Sequence, residues 1–285
     1  MPFIDYFPLP FMPNNFTQAT RINFVHGNGF PSGSYQTFFS YLPKGMDVIA
    51  LDKYGHDHSL PVNHNWQAQV DELIKFVRAH QETNGKGELE KVICLGHSFG
   101  GVISFIACCQ QPSLFKGLIM LDPPVLTGIT ALVAKLIKKT RWIDKFSPAG
   151  KAKVRRTHWP LGTDVGKAFS QRNLFKNFDK RCLDDYIRHG IAEQNERLEL
   201  IFDAQIEANV FRNLPSNLAS YKNKLTIPAV LVYGESTDVV PHRFFKDFAR
   251  MNKNITLQTV PGSHMFPLES PETTAQLIAN IVKRF

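Results

Sequence analysis

Three side chains of this sequence could together attack an acyl carbon: a serine, a histidine and an aspartate. The serine is Ser98, in Gly96-His97-Ser98-Phe99-Gly100-Gly101, directly behind the apolar run Val92-Ile-Cys-Leu and directly ahead of a helical pattern. A serine hydroxyl is a poor nucleophile at neutral pH, so an imidazole must take its proton during attack. A carboxylate must in turn hold that imidazole in one tautomer and stabilise the imidazolium. On a tight strand-to-helix turn the serine hydroxyl is pushed out above the sheet, and glycines two before and two after it remove side chains that would collide. The N-terminus of the following helix offers a backbone N–H, that of Phe99, to a developing oxyanion. A bare Gly-x-Ser-x-Gly also fits an ordinary glycine-rich turn, so the flanking strand and helix carry the signal.

Four further segments have the residue types that such a serine needs around it. They are Asn23-Phe-Val-His26-Gly27-Asn28-Gly29, Leu51-Asp52-Lys53-Tyr54-Gly55-His56-Asp57-His58-Ser59, Val230-Leu-Val-Tyr-Gly234-Glu-Ser-Thr-Asp238-Val-Val-Pro241 and Val260-Pro-Gly-Ser-His264-Met-Phe-Pro267. With the serine turn, they resemble the α/β-hydrolase family, in particular its small capped esterases and related carboxylic-ester or carbon–carbon bond hydrolases. The resemblance spans about residues 21–124 and 227–285. It implies Ser98 as nucleophile, His264 as base and Asp238 as the acid, in the chain order of that fold. It also implies the Asn28 backbone N–H as the second oxyanion donor beside Phe99. His26, Asp52 and His56 read as residues that fix loops, and Asp57 stands where the family usually has glycine. A competitor for the acid is Asp122, in Met120-Leu-Asp122-Pro-Pro at the end of a strand, where some family members carry it; its other reading is a strand terminator. His97 and His242 do not sit at the strand end that a base requires. Serine at the turn excludes the alkyl-enzyme chemistry of the related epoxide hydrolases and haloalkane dehalogenases, which need aspartate there.

Positioning these residues takes a parallel sheet. Short apolar runs at 21–26, 47–51, 91–96, 115–121, 229–234 and 255–260 read as buried strands. Helical patterns near 34–42, 66–80, 99–111 and 244–251 separate them, and a last helix over 271–285 opens on Ser270-Pro-Glu. The alternation predicts an α/β fold of the α/β-hydrolase type: a mostly parallel sheet with helices on both faces. It breaks between 123 and 226, too long a stretch for a connection, and this divides the chain into core (1–122), helical cap (123–226) and core (227–285). The cap's helix-like segments are 129–139, 164–169 and 181–208, with no convincing strand. The first sixteen residues, rich in proline and aromatics, are expected along the core surface.

Composition narrows the function classes. The 285 residues are 43% hydrophobic and 20% charged, ordinary for a globular protein, and no run of about 18 apolar residues could span a membrane. The N-terminus lacks a basic n-region, which predicts a cytoplasmic protein. Its four cysteines read as free thiols, without metal-ligand spacing, so neither a metal nor any other cofactor is expected. Of 33 Lys and Arg, 19 fall within 123–226 against 10 acids, so the cap carries the whole positive excess. That pattern does not suit a nucleic-acid binder. The densest part, 135–156, holds Lys135, Lys138, Lys139, Arg141, Lys145, Lys151, Lys153, Arg155 and Arg156 against Asp144. It could be a solvated face, a site for an anionic substrate tail, or a weak contact with an acidic lipid surface. Beside it, Ile129, Leu132, Val133, Leu136 and Ile137 share one helical face, either packed on the core or lying over a hydrophobic substrate.

The expected function is hydrolysis of a small hydrophobic carboxylic ester through an acyl-enzyme. Alternatives are a thioesterase, a carbon–carbon hydrolase or an acyltransferase using the same triad, and a slow-turnover small-molecule receptor. The oligomeric state is not legible.

Overall fold

The apolar runs pair into one parallel sheet because each alternates its side chains between two faces and needs a layer of helices on both. In the computed structural model, which describes residues 20–83, 87–138, 140 and 142–285, strands β1 (Thr20–Val25), β2 (Met46–Ala50), β3 (Val92–His97) and β4 (Phe115–Leu121) come first. Strands β5 (His158–Pro160), β6 (Ile191–Gln194) and β7 (Arg197–Leu200) follow, then β8 (Ala229–Gly234) and β9 (Ile255–Val260). The main sheet has the order β2-β1-β3-β4-β8-β9, and every pairing in it is parallel. The expectation for the first sixteen residues lies outside the described residues.

The two faces of the sheet can be read residue by residue. Cys94, Leu118, Met120, Leu231 and Tyr233 point into a cluster with Leu73 and Val77 of the helix Gln67–Ala79, Phe105 of the helix Phe99–Gln110, and Phe245 and Phe248 of the helix His242–Met251. Ile93, Leu95, Ile119, Leu121, Val230 and Val232 point the other way, onto Tyr35, Phe38 and the helix Pro271–Val282 with Ala275, Ile278 and Ile281. Burying a side chain of this size contributes about 1.5–3 kcal/mol, so both clusters fix the register that sets the strand ends.

Between β4 and its neighbour β8 the chain makes its long excursion. It is not purely helical. Helices Gly128–Ile137, Ile143–Phe146, Ala149–Lys153, Val165–Ser170, Lys180–Gly190 and Ala204–Arg212 accompany a three-stranded antiparallel sheet in the order β5-β7-β6. The segment expected as one helix over 181–208 is split by the β6–β7 hairpin. Its turn residues, Asn195 and Glu196, have φ of 50° and 57°, a left-handed turn that asparagine tolerates and a helix cannot accommodate.

The insertion is tied to the core by buried or half-buried hydrogen bonds. Trp66 Nε1 donates to Val210 O (2.8 Å), Asn28 Nδ2 to Glu207 O (3.0 Å), and the Thr37 N–H and hydroxyl both to Asp185 Oδ2 (2.7 and 2.6 Å). The four cysteines are free, three of them buried.

Candidate active site

Ser98 stands where β3 passes into the helix Phe99–Gln110, with φ 55° and ψ −120°. A non-glycine residue adopts that backbone only when its surroundings enforce it. Here the Ser98 N–H donates to Leu121 O at 2.8 Å, and the flanking glycines permit a very close approach. A Cβ on Gly96 would lie 2.3 Å from Gly100 O, and one on Gly100 would lie 2.1 Å from Val25 O. Any side chain at either position would force the turn open.

His264 Nε2 lies 3.0 Å from Ser98 Oγ. Its other ring nitrogen, Nδ1, lies 2.6 Å from Asp122 Oδ2. The carboxylate on the imidazole is therefore Asp122, and the expectation of Asp238 in that place is corrected. The reason is strand register. Residues 97 and 121 are partners in the β3–β4 pairing, so Ser98 and Asp122 leave the sheet side by side. Asp122, with φ 46°, is turned back under the imidazole and is fully buried. Its Oδ1 accepts the Gly234 N–H (3.0 Å) and its Oδ2 also accepts the Thr237 hydroxyl (2.5 Å). The segment that resembled the family's acid loop thus supplies donors to the acid. Asp238 itself is exposed at the rim of the pocket, and among the described residues it makes no hydrogen bond to His264. The sequence signal for Asp122 was its position one residue beyond the apolar run Leu118-Ile-Met-Leu121 that ends a strand.

The loop carrying His264 is braced on both sides. Glu269 accepts the Ser263 N–H (2.9 Å) and hydroxyl (2.5 Å), and the His264 carbonyl faces His97 Nε2 at 3.0 Å. His97 Nδ1 meets the Tyr35 hydroxyl at 2.7 Å, and that hydroxyl accepts the Gly27 N–H at 3.1 Å. Burial favours the neutral ring, and with its Nε2–H donating to the carbonyl the Nδ1 then accepts from the Tyr35 hydroxyl. Burial, reinforced by the nearby His264, lowers its pKa to about 3. Sequence reasoning weighed His97 only as a base and did not find this relay, which links the loop of His264 to the glycine loop after β1. A buried histidine beside Ser98, facing an aromatic hydroxyl, leaves no periodicity in the sequence.

Asn28 and Phe99 line the same pocket as Ser98 and His264, and among the described residues neither backbone N–H has an acceptor. Two free donors beside a serine hydroxyl are what an oxyanion requires. His26 is a loop-fixing residue: its Nε2 accepts the Tyr54 N–H (2.8 Å), its Nδ1 meets Gly27 O (2.8 Å), and burial lowers its pKa to about 4. His56 is likewise engaged, between Tyr54 O (3.3 Å) and the Asp203 N–H (3.1 Å). Asp52 is exposed, and Asp57 accepts from the Ser59 N–H and hydroxyl.

The pocket over Ser98 has a volume of about 420 Å³. Trp66, Phe99 and Met265 of the core and Phe175, Val210 and Phe211 of the insertion make its wall mostly apolar. The insertion adds one charged pair to that wall, Arg155 Nη1 to Glu207 Oε2 at 2.5 Å, with Arg155 Nη2 3.2 Å from the Tyr186 hydroxyl. Arg155 is thus part of the pocket and not of a solvated basic face. Among the described residues no group of His, Cys, Asp and Glu could hold a metal ion.

A family model described as the alpha/beta hydrolase family matches residues 24–277. The chain belongs to that family. Among curated proteins it is 24% identical over 237 residues to a probable 1-acylglycerol-3-phosphate O-acyltransferase of Oryza sativa subsp. japonica, covering 76% of this chain and 56% of that protein. This chain therefore spans little more than half the length of that relative. It is 32% identical over 131 residues to the monoglyceride lipase of Rattus norvegicus, covering 42% of each. Among solved structures, a peroxisomal alpha-beta-hydrolase of Saccharomyces cerevisiae superposes with a TM-score of 0.75 at 17% identity, covering 94% of this chain and 77% of that one. The last likeness is one of fold. No helix among the described residues is long and apolar enough to cross a membrane.

Proposed function

We propose that this chain is a serine hydrolase that cleaves a hydrophobic carboxylic ester through an acyl-enzyme. The observation that carries the reading is the line Ser98–His264–Asp122, with contacts of 3.0 and 2.6 Å at the floor of an apolar pocket. Ser98 Oγ attacks the ester carbonyl while His264 Nε2 takes its proton. Asp122, accepting the Nδ1–H, keeps that nitrogen pair in the productive tautomer and stabilises the imidazolium. The N–H groups of Asn28 and Phe99 receive the oxyanion. The imidazolium then protonates the leaving alcohol, and water, activated by the same histidine, releases the acid.

The apolar wall favours an uncharged acyl or alcohol group of modest size, since a half-buried Arg155 already paired with Glu207 offers little net charge. The likeness to an O-acyltransferase favours a second reading in which an acceptor alcohol, not water, takes the acyl group from Ser98. p-Nitrophenyl esters of graded chain length, followed with and without glycerol-based acceptors, test both. Turnover with release of free acid supports hydrolysis. Acyl transfer that dominates at millimolar acceptor supports the second reading, and labelling of Ser98 without turnover on any ester refutes both.

A further inference from the structure

The helix Gly128–Ile137 shows the solvent the face that a helix normally hides. Ile129, Leu132, Val133 and Leu136, at helical spacing, are 80, 57, 45 and 62% exposed. Of the two readings of this stripe, packing on the core is overturned for Ile129, Leu132, Val133 and Leu136: Ala131, the partly buried Ala134 and Ile137, and Lys138 face the protein instead. Lys138 reaches inward to Leu214 O and, at 3.1 Å, to Asn65 Oδ1, and burial lowers its pKa to about 8. The inner face is therefore anchored, and the apolar outer face is a fixed feature of the fold. Trp142, over whose ring the Lys145 ammonium sits, and Val154 are further exposed apolar residues of the insertion, at 55 and 78% exposure.

Exposed lysines accompany this stripe in the chain. Lys135 lies on the exposed side of the helix itself, and Lys145, Lys151 and Lys153 are exposed on the two short helices that follow. Lys139 and Arg141 lie outside the described residues. Asp144, the single acid between Asp122 and Asp164, is held by Arg212 through contacts of 2.6 and 2.7 Å. A second copy of the chain, docked face to face, would bring lysines against lysines. An exposed apolar stripe that carries Lys135 and is followed by Lys145, Lys151 and Lys153 fits instead an interface with an oily layer beneath a negative surface. At 1.5 Å per residue a helix of this length can lie in a bilayer interface and cannot cross it.

We propose that the exposed face of the helix Gly128–Ile137, with the lysines beside it, docks this protein on the surface of an anionic lipid bilayer. The surface adjoins the pocket: the helix follows Pro124, Lys138 binds the Leu214 carbonyl, and Pro124, Pro148 and Leu214 all line the cavity over Ser98. Docking thus places the cavity wall next to a lipid phase, where hydrophobic esters concentrate. The proposal goes beyond the catalytic reading and does not depend on it.

Vesicle co-sedimentation tests it, using the full chain carrying Ser98→Ala, so that lipid is not consumed and the outcome is independent of hydrolysis. Vesicles of phosphatidylcholine with about 30 mol% phosphatidylglycerol should bind the protein at least about tenfold more tightly than vesicles of phosphatidylcholine alone, and about 500 mM salt should remove most of the difference. Leu132→Asn combined with Leu136→Asn should abolish binding, and Lys135→Glu with Lys145→Glu should weaken it at least about tenfold. All four side chains are exposed, so an unchanged melting temperature certifies the fold of each variant. Failure to sediment with anionic vesicles at millimolar lipid would overturn the proposal. Equal binding to both vesicle types, binding that survives the Leu132/Leu136 change, or a stable dimer that this change dissolves would each overturn it too.

Discussion

Replacing Asp122 by asparagine keeps its shape and inverts its hydrogen bonding. The Gly234 N–H at Oδ1 can only donate, so the amide oxygen must take that position. The amide nitrogen then falls where Oδ2 now accepts from Thr237 and faces His264 Nδ1. Two donors cannot face each other. The imidazole is therefore driven to the tautomer protonated on Nε2, which donates toward Ser98 and cannot take its proton. An equivalent substitution in a serine-protease triad lowers turnover on the order of 10⁴, and at 1.36 kcal/mol per tenfold that is about 5.5 kcal/mol of transition-state stabilisation. Asp238→Asn, at an exposed rim position, should change turnover by less than about threefold, in the range of a lost surface charge. The assay is kcat on a short p-nitrophenyl ester, normalised to active sites titrated with a fluorophosphonate. Melting temperatures certify the fold. An Asp122→Asn enzyme with more than about a tenth of wild-type turnover, or an Asp238→Asn enzyme that is the more damaged of the two, would refute the tautomer argument and return the acid to the loop after β8.

Ser98→Ala should lower turnover on the order of 10⁴–10⁶ with the fold unchanged, and a fluorophosphonate should label the wild-type chain at Ser98 alone by peptide mass mapping. Tyr35→Phe strips the Gly27 N–H and His97 Nδ1 of their shared buried partner, which should cost about 1–3 kcal/mol in urea unfolding; an unchanged midpoint would remove the relay from the account of stability. Acid should destabilise the fold in a defined window. His26 and His97 have folded pKa values lowered to about 4 and about 3, against an ordinary 6.5. Their contribution is complete above pH 6.5 and is lost as pH falls toward 4, at about 1.4 kcal/mol per pH unit for each histidine that stays neutral. Glu72, raised by burial to about 7, works in the opposite sense, its contribution fading as pH rises through 7. Two histidines outweigh one glutamate, so the urea midpoint should drop between pH 6.5 and 4.5, and a flat midpoint there would contradict the buried neutral state of both rings.

Much of this fold was legible because it rests on local pattern. Each of the six sheet strands lies within a residue or so of its apolar run, since a strand buried on both faces needs continuous β-branched and apolar residues. Ser98 was legible because a strained turn demands glycine on both sides, and His264 because of the prolines and helix start that follow it. Inside the insertion, local pattern was misleading. A helical reading over 181–208 is reasonable residue by residue, and only the Asn195–Glu196 turn and the pairing with Trp159's strand made a small sheet there. The apolar stripe of the helix Gly128–Ile137 likewise has the periodicity of a packed face, and periodicity cannot say what covers it.

What the sequence determined by itself was the set of candidate groups: a serine on a strained turn, a histidine after the last strand, and two aspartates at strand ends, either of which could have met that histidine. Which aspartate meets the imidazole was decided by tertiary structure. Parallel pairing of β3 with β4 puts Asp122 beside Ser98, and the close of β8 brings Gly234 and Thr237 to hold it there. A carboxylate's partner is a matter of angstroms between residues 142 positions apart in the chain, and no spacing rule within a segment carries that distance.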